Sequence, residues 1–129
     1  MARSGRFLTD LIVRELDDDR KELVAPLVYH AEDGQRFLVP AGFVTDYASI
    51  PWFVRWRFPK SGPWKWGATL HDYLYQHNGV TRARADALFN EGMAAKDVSW
   101  RARQTLYWGV RTGGRLTWKR YRHAERETT

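Results

Sequence analysis

The chain has 129 residues, 21 Lys and Arg against 15 Asp and Glu (a formal charge of +6), and 43% hydrophobic residues that include seven Trp, six Tyr and six Phe. That hydrophobic share excludes a disordered chain, and the length suits one domain, residues 1–129, with a core of its own. The lack of cysteine excludes a disulfide framework and a thiolate metal site.

The first third reads as β structure. Phe7 to Leu16 and Leu23 to His30 are rich in Leu, Ile, Val and Tyr, with the polar turn Asp17-Asp18-Asp19-Arg20-Lys21 between them. Asp33-Gly34 is a hairpin signal before Arg36-Phe37-Leu38-Val39, and Pro40 and Gly42 break that strand before Phe43-Val44-Thr45. A small antiparallel meander over about residues 6–45 is expected. From there the period changes. Ser49-Ile50-Pro51 opens a short helix through Trp52 to Arg57, and Pro59 to Pro63 forms a loop. A helix is predicted from about Trp64 to Gln76, stopped by Asn78-Gly79, and a second over roughly 82–96, capped by Thr81. Ser99 caps a last helix that Gly113-Gly114 end. The fold class is therefore α+β: an N-terminal antiparallel meander, then a bundle of three to four helices over 49–114, then a basic tail over 115–129.

Charge is unevenly spread. Residues 1–100 carry 13 basic and 13 acidic side chains, whereas 101–129 carry eight basic against Glu125 and Glu127. Arg115, Lys119, Arg120 and Arg122 are thus candidates for contact with an acidic partner: a protein surface, phosphate groups or nucleic acid. A solvated helix face with a loose terminus is the plainer reading. Trp52, Trp56, Trp64 and Trp66 interleave with Arg55, Arg57, Lys60 and Lys65. Mixed tryptophan and basic residues suit a lipid, nucleic-acid or protein interface. Trp52, Arg55, Trp56 and Arg57 are the partner-binding candidates of this stretch.

The densest chemistry lies in Leu70-His71-Asp72-Tyr73-Leu74-Tyr75, with Ala85-Asp86 on the next helix. His71 and Tyr75 are four apart and share one helical face. The short link from His77 to Thr81 packs the two helices antiparallel, so His71 and Asp86 can face each other. A His hydrogen-bonded to a buried carboxylate through one ring nitrogen can activate a water with the other. On that reading His71, Asp86 and Tyr75 are catalytic. Asp72, rotated by roughly 100° on the helix, and Asp46, at the sheet-to-helix junction, would hold a hard cation such as Ca²⁺ through oxygen. The same residues read equally as a buried polar network that pins two helices. Asp46 and Ser49 likewise fit a plain Asx turn and a helix cap. No glycine-rich phosphate loop and no nucleophile-elbow serine is present. His30, His71, His77 and His123 are the only histidines, too few on helices for a multi-histidine metal site.

Val39-Pro40-Ala41-Gly42-Phe43-Val44-Thr45-Asp46-Tyr47-Ala48-Ser49-Ile50-Pro51, the His71-Asp72 block, Arg82, Ala85-Asp86, Phe89, Met93 and Tyr107-Trp108-Gly109-Val110-Arg111 occur in order. Together they resemble a phage and prophage family classed as a domain of unknown function (domain of unknown function 1353), over about residues 37–114. The resemblance implies a phage or prophage origin and names no activity. Under it the chain is expected in the virion (tail, baseplate or neck) or the host cytoplasm, with other phage structural proteins as partners. No signal peptide is expected, since no apolar stretch follows the basic residues Arg3 and Arg6. The hairpin is also similar, more loosely, to viral-type phospholipases A2, which place His-Asp-x-x-Tyr on one helix and an Asp on its partner. That similarity implies His71 as base, Asp72 as calcium ligand, Asp86 as the partner of His71 and Tyr75 as the network phenol. Host envelope phospholipid would be the substrate. The glycine-rich calcium loop of those enzymes has no counterpart here beyond Gly62-Pro63 and Gly67. A virion assembly protein and a small metal-assisted hydrolase are the two functional expectations.

Overall fold

A computed structural model describes residues 5–47, 50–58, 62–77 and 79–128. Six short strands come first: β1 (Arg6–Phe7), β2 (Val13–Glu15), β3 (Lys21–Leu23), β4 (Leu27–His30), β5 (Arg36–Val39) and β6 (Val44–Thr45). They form two antiparallel sheets, ordered β1-β4-β5 and β2-β3-β6, rather than one meander. The two long apolar runs of the sequence each split. In the first, the Thr9 hydroxyl accepts from Val28 N–H (2.9 Å) and donates to Pro26 carbonyl (3.0 Å). A side chain thereby takes the ladder's place, and the chain leaves one sheet for the other. In the second, Pro26 has no N–H to give to a ladder, and β3 and β4 fall on either side of it. The predicted hairpin between β4 and β5 is present, with Gly34 at φ +92° where a side chain would be strained.

Five helices follow among the described residues: α1 (Trp52–Arg55), α2 (Trp64–Gln76), α3 (Arg82–Ala95), α4 (Trp100–Gly113) and α5 (Arg115–Thr128). Thr81 caps α3 by accepting from Arg84 N–H (3.1 Å), and Ser99 caps α4 by accepting from Ala102 N–H (3.3 Å). The expected cap at Ser49 and the stop at Asn78 lie outside the described residues. The basic tail of the sequence reading is a helix. Gly113-Gly114 bend the chain without ending the helical path: Gly114 stays right-handed, and Trp118 N–H donates to its carbonyl (3.0 Å). A side chain at Gly114 would lie 2.7 Å from the Tyr75 hydroxyl. Glycine is there to let α5 fold back against α2, and the Trp118 ring meets Tyr75 edge-on at 5.1 Å.

Two apolar clusters share α2 and α3. The first joins the sheets to these helices through Leu27, Tyr29, Val39, Leu70, Leu74 and Leu88. The second joins α1 and α4 to them through Val54, Ala68, Phe89, Met93, Leu106 and Val110. Asp86, Phe89 and Met93 are fully buried, as their helical spacing predicts. The α2–α3 pair is therefore the centre of the molecule, and its His71, Asp72 and Asp86 are buried.

Candidate functional site

Helical spacing puts His71 and Tyr75 on the face of α2 that meets α3, and Asp86 stands one turn into α3 opposite them. Asp86 Oδ1 lies 2.6 Å from His71 Nε2 and accepts from the Tyr75 hydroxyl at 2.7 Å. Its Oδ2 accepts from Arg111 Nη1 on α4 at 2.8 Å. Arg82, one turn before Asp86 on α3, brings its Nε to 4.0 Å from the same oxygen. One carboxylate thus ties together α2, α3 and α4. The rings of Tyr75 and Phe89 pack against His71 at 4.2 and 4.9 Å. His71, Tyr75 and Asp86 each have no solvent exposure.

Electrostatics follows from that enclosure. Burial alone would raise the Asp86 carboxyl. The hydrogen bond and charge of His71, with the hydrogen bonds of Tyr75 and Arg111, outweigh burial and hold it below the ordinary carboxylate range. The hydrogen bond to Asp86 raises Arg111 in turn. Burial, then the Asp86 charge, pushes the Tyr75 phenol well up. The network is a clamped carboxylate with neighbours that favour its ionised form.

Asp72 faces elsewhere, as a rotation of roughly 100° on the helix requires. Its Oδ2 accepts from the Thr45 hydroxyl, which itself accepts from Tyr47 N–H at 3.2 Å. Asp72 therefore pins β6 to α2. Asp46, the residue after Thr45, is half-buried. The Tyr121 phenol of α5 is pushed up to about 12 by burial, then by the charges of Asp72 and Asp46. A calcium ion takes six to eight oxygen ligands, several of them carboxylate. Among the described residues no group of three or more His, Asp or Glu side chains could hold a metal ion, and one Asp72 oxygen already serves Thr45. Among the described residues the side-chain donors at Asp72 and Asp46 fall short of that set.

The other sequence candidates separate. Trp52 and Trp56 are 73% and 84% exposed, and Arg57 is exposed beside them. The side chain of Arg55 lies outside the described set. Arg115, Lys119 and Arg120 are exposed on α5. Arg122 parts from them: it donates to the Tyr75 carbonyl, lies over the Trp118 ring at 4.4 Å and pairs with Glu125 at 3.2 Å. It belongs to the packing of α5 rather than to an open face.

The family model that matches, for a protein of unknown function (DUF1353), covers residues 21–110. The chain belongs to the DUF1353 family. No curated protein and no solved structure matched. The DUF1353 segment contains Thr45, His71, Asp72, Tyr75, Arg82 and Asp86, and ends one residue before Arg111. β1, β2 and α5 lie outside it.

Three network residues had no role assigned by sequence reasoning. Arg82 was legible, since an Arg four residues before Asp86 on a helix faces it. It also donates to the Val110 carbonyl (3.0 Å) and to that of Arg111, capping the end of α4. Arg111 and Thr45 carry no such local signal, because each meets its carboxylate only through the packing of a distant element.

Proposed function

We propose that this DUF1353 member is a non-catalytic assembly protein of a phage or prophage particle, a tail, baseplate or neck component. In this reading the His71–Asp86 network is a clamp for the fold. The observation that carries the reading is the enclosure of that network. His71, Tyr75 and Asp86 have no exposure, and both Asp86 oxygens are engaged. A general base needs its proton partner within about 2.6–3.2 Å, and no substrate reaches a buried imidazole without opening the α2–α3 pair. The groups that do face outward are suited to contact. Trp52 opens α1 and Trp56 follows its end, and Arg115, Lys119 and Arg120 line α5. Tryptophan and arginine carry much of the energy of protein interfaces. The phage or prophage setting is what the resemblance of the ordered motif blocks implies.

The test is to purify particles from the replicon that carries the gene and look for the chain by mass spectrometry. His71→Ala is melted in parallel and tested on mixed phospholipid vesicles with calcium and with chelator. The chain in the particle, a large fall in melting temperature for the variant and no turnover by the wild type are expected. Calcium-dependent lipid hydrolysis lost in a well-folded His71→Ala would overturn the reading in favour of an envelope hydrolase.

A further inference from the structure

A cleft of about 320 Å³ opens between the β2–β3 turn, α1 and the start of α2. It is of the size at which ligand pockets begin. Tyr47 and Trp64, both nearly buried, lie at its bottom, with Phe58 beside them. Trp52 and Trp56, four apart on one side of the short α1 turn, form its rim. Tryptophan is mostly buried on average in folded proteins, so two that stand 73% and 84% exposed while lining one cavity leave apolar surface uncovered there at a hydrophobic cost. Asp18 and Asp19, both exposed, and the half-buried Asp46 complete the lining with carboxylates.

Among the described residues two cations also touch the cleft, and each has a partner. Lys21 pairs with Glu15 at 3.4 Å. Lys65 extends its ammonium to 5.7 Å from the centre of the Tyr47 ring, so one cation already rests on these aromatic faces. Aromatic faces attract cations through the ring quadrupole, and carboxylates beside them add direct attraction. An anion would meet the carboxylates, and a neutral apolar ligand would gain nothing from them.

We propose that this cleft is a binding site for an organic cation, a quaternary ammonium or guanidinium head group seated on Trp52 and Trp56 and facing Asp18 and Asp19. The site does not depend on the assembly role and stands or falls separately from it. The experiment titrates the isotope-labelled protein with choline, with arginine amide and with the uncharged isostere of choline in which carbon replaces nitrogen. Ionic strength is held constant, and the tryptophan indole signals are followed by NMR. We expect saturable shifts of the Trp52, Trp56 and Trp64 indoles with at least one cation and much weaker ones with the isostere. Trp56→Ala, at an exposed site, should weaken binding about two- to fivefold, the size of one exposed cation–π contact. Asp19→Asn should weaken it as well, while Trp108→Ala on α4 should not. A stronger response to choline marks a small quaternary ligand, and a stronger response to arginine amide marks an arginine side chain of a partner. Equal affinity for the isostere, no saturable shift with either cation, or binding unchanged in both cleft variants would overturn the proposal.

Discussion

Asp86 accepts from His71, Tyr75 and Arg111 in a place with no solvent, so its contribution is set by what is left behind when it goes. Asp86→Ala strands an imidazole, a phenol and a guanidinium at once, and removing one partner of a buried charged pair costs about 3–5 kcal/mol. Tyr75→Phe deletes one hydrogen bond to the carboxylate and should cost about 1.5–3 kcal/mol. Urea unfolding of both variants checks that order, and equal losses would mean that the charge is not the hub. The same carboxylate gives a pH limb of known sign. Its folded-state value is depressed, so its stabilisation is fully present above the ordinary aspartate value of 3.8 and is lost as pH falls through the lower folded value. Melting temperatures taken down an acid series should fall through this range in the wild type. The part of that fall that belongs to Asp86 should be missing in Asp86→Asn, and parallel curves for the two would remove Asp86 from the acid limb.

At the scale of elements, the α2–α3 crossing depends on glycine. A side chain at Gly67 would come within 3.0 Å of the Phe89 carbonyl and 3.3 Å of Met93, and a side chain at Gly92 within 3.4 Å of Gly67 itself. Gly79, in the link between the same helices, has nothing within 4 Å and no left-handed backbone. The same substitution should therefore have opposite signs. Gly67→Ala is expected to lose about 1–3 kcal/mol to overpacking, and Gly79→Ala to be neutral or to gain about 0.4–1 kcal/mol by restricting the unfolded chain. Thermal melts of the two variants decide it, and a stable Gly67→Ala would show that the crossing can widen. Those two helices were also the most legible part of the sequence. The cap of α3, the bounds of both helices and the inward row Asp86, Phe89, Met93 follow from local signals and 3.6-residue spacing. So did the meeting of His71 with Asp86, since a short link leaves antiparallel packing. What local signals could not carry was partnership between distant elements. Arg111 reaches Asp86 across 25 residues, Thr45 reaches Asp72 across 27, and the Thr9 hydroxyl splits a run of β-forming residues between two sheets. The paired glycines at 113–114 read as a stop, yet their lack of side chains is what lets α5 turn back onto Tyr75.

For the whole molecule, that turn changes what the basic C-terminal segment means. As a loose tail, residues 115–129 could be removed without touching the fold, and their loss would report on partners alone. As α5, the segment sets Trp118, Tyr121 and Arg122 against the rest of the chain, with Arg115, Lys119 and Arg120 facing water. Packed and water-facing residues thus lie on different sides of one helix, and two variants separate their roles. Ending the chain at residue 114 exposes Tyr75 and the apolar surface that Trp118 and Tyr121 cover, and burial of each large aromatic side chain is worth about 1.5–3 kcal/mol when complete. These two are half-buried, so a loss of at least about 2 kcal/mol is expected. Changing Arg115, Lys119 and Arg120 together to Gln touches no packed atom and should stay within about 0.5 kcal/mol of the wild type for each residue. It halves the formal charge from +6, so attraction to an acidic partner should fall and its salt dependence flatten. Melting temperature and incorporation into particles, measured on both, then give a definite pattern. The truncated chain melts low, while the triple Gln variant melts normally and incorporates poorly. A truncated chain as stable as the wild type would remove α5 from the fold, and normal incorporation of the triple variant would remove its basic face from the docking surface.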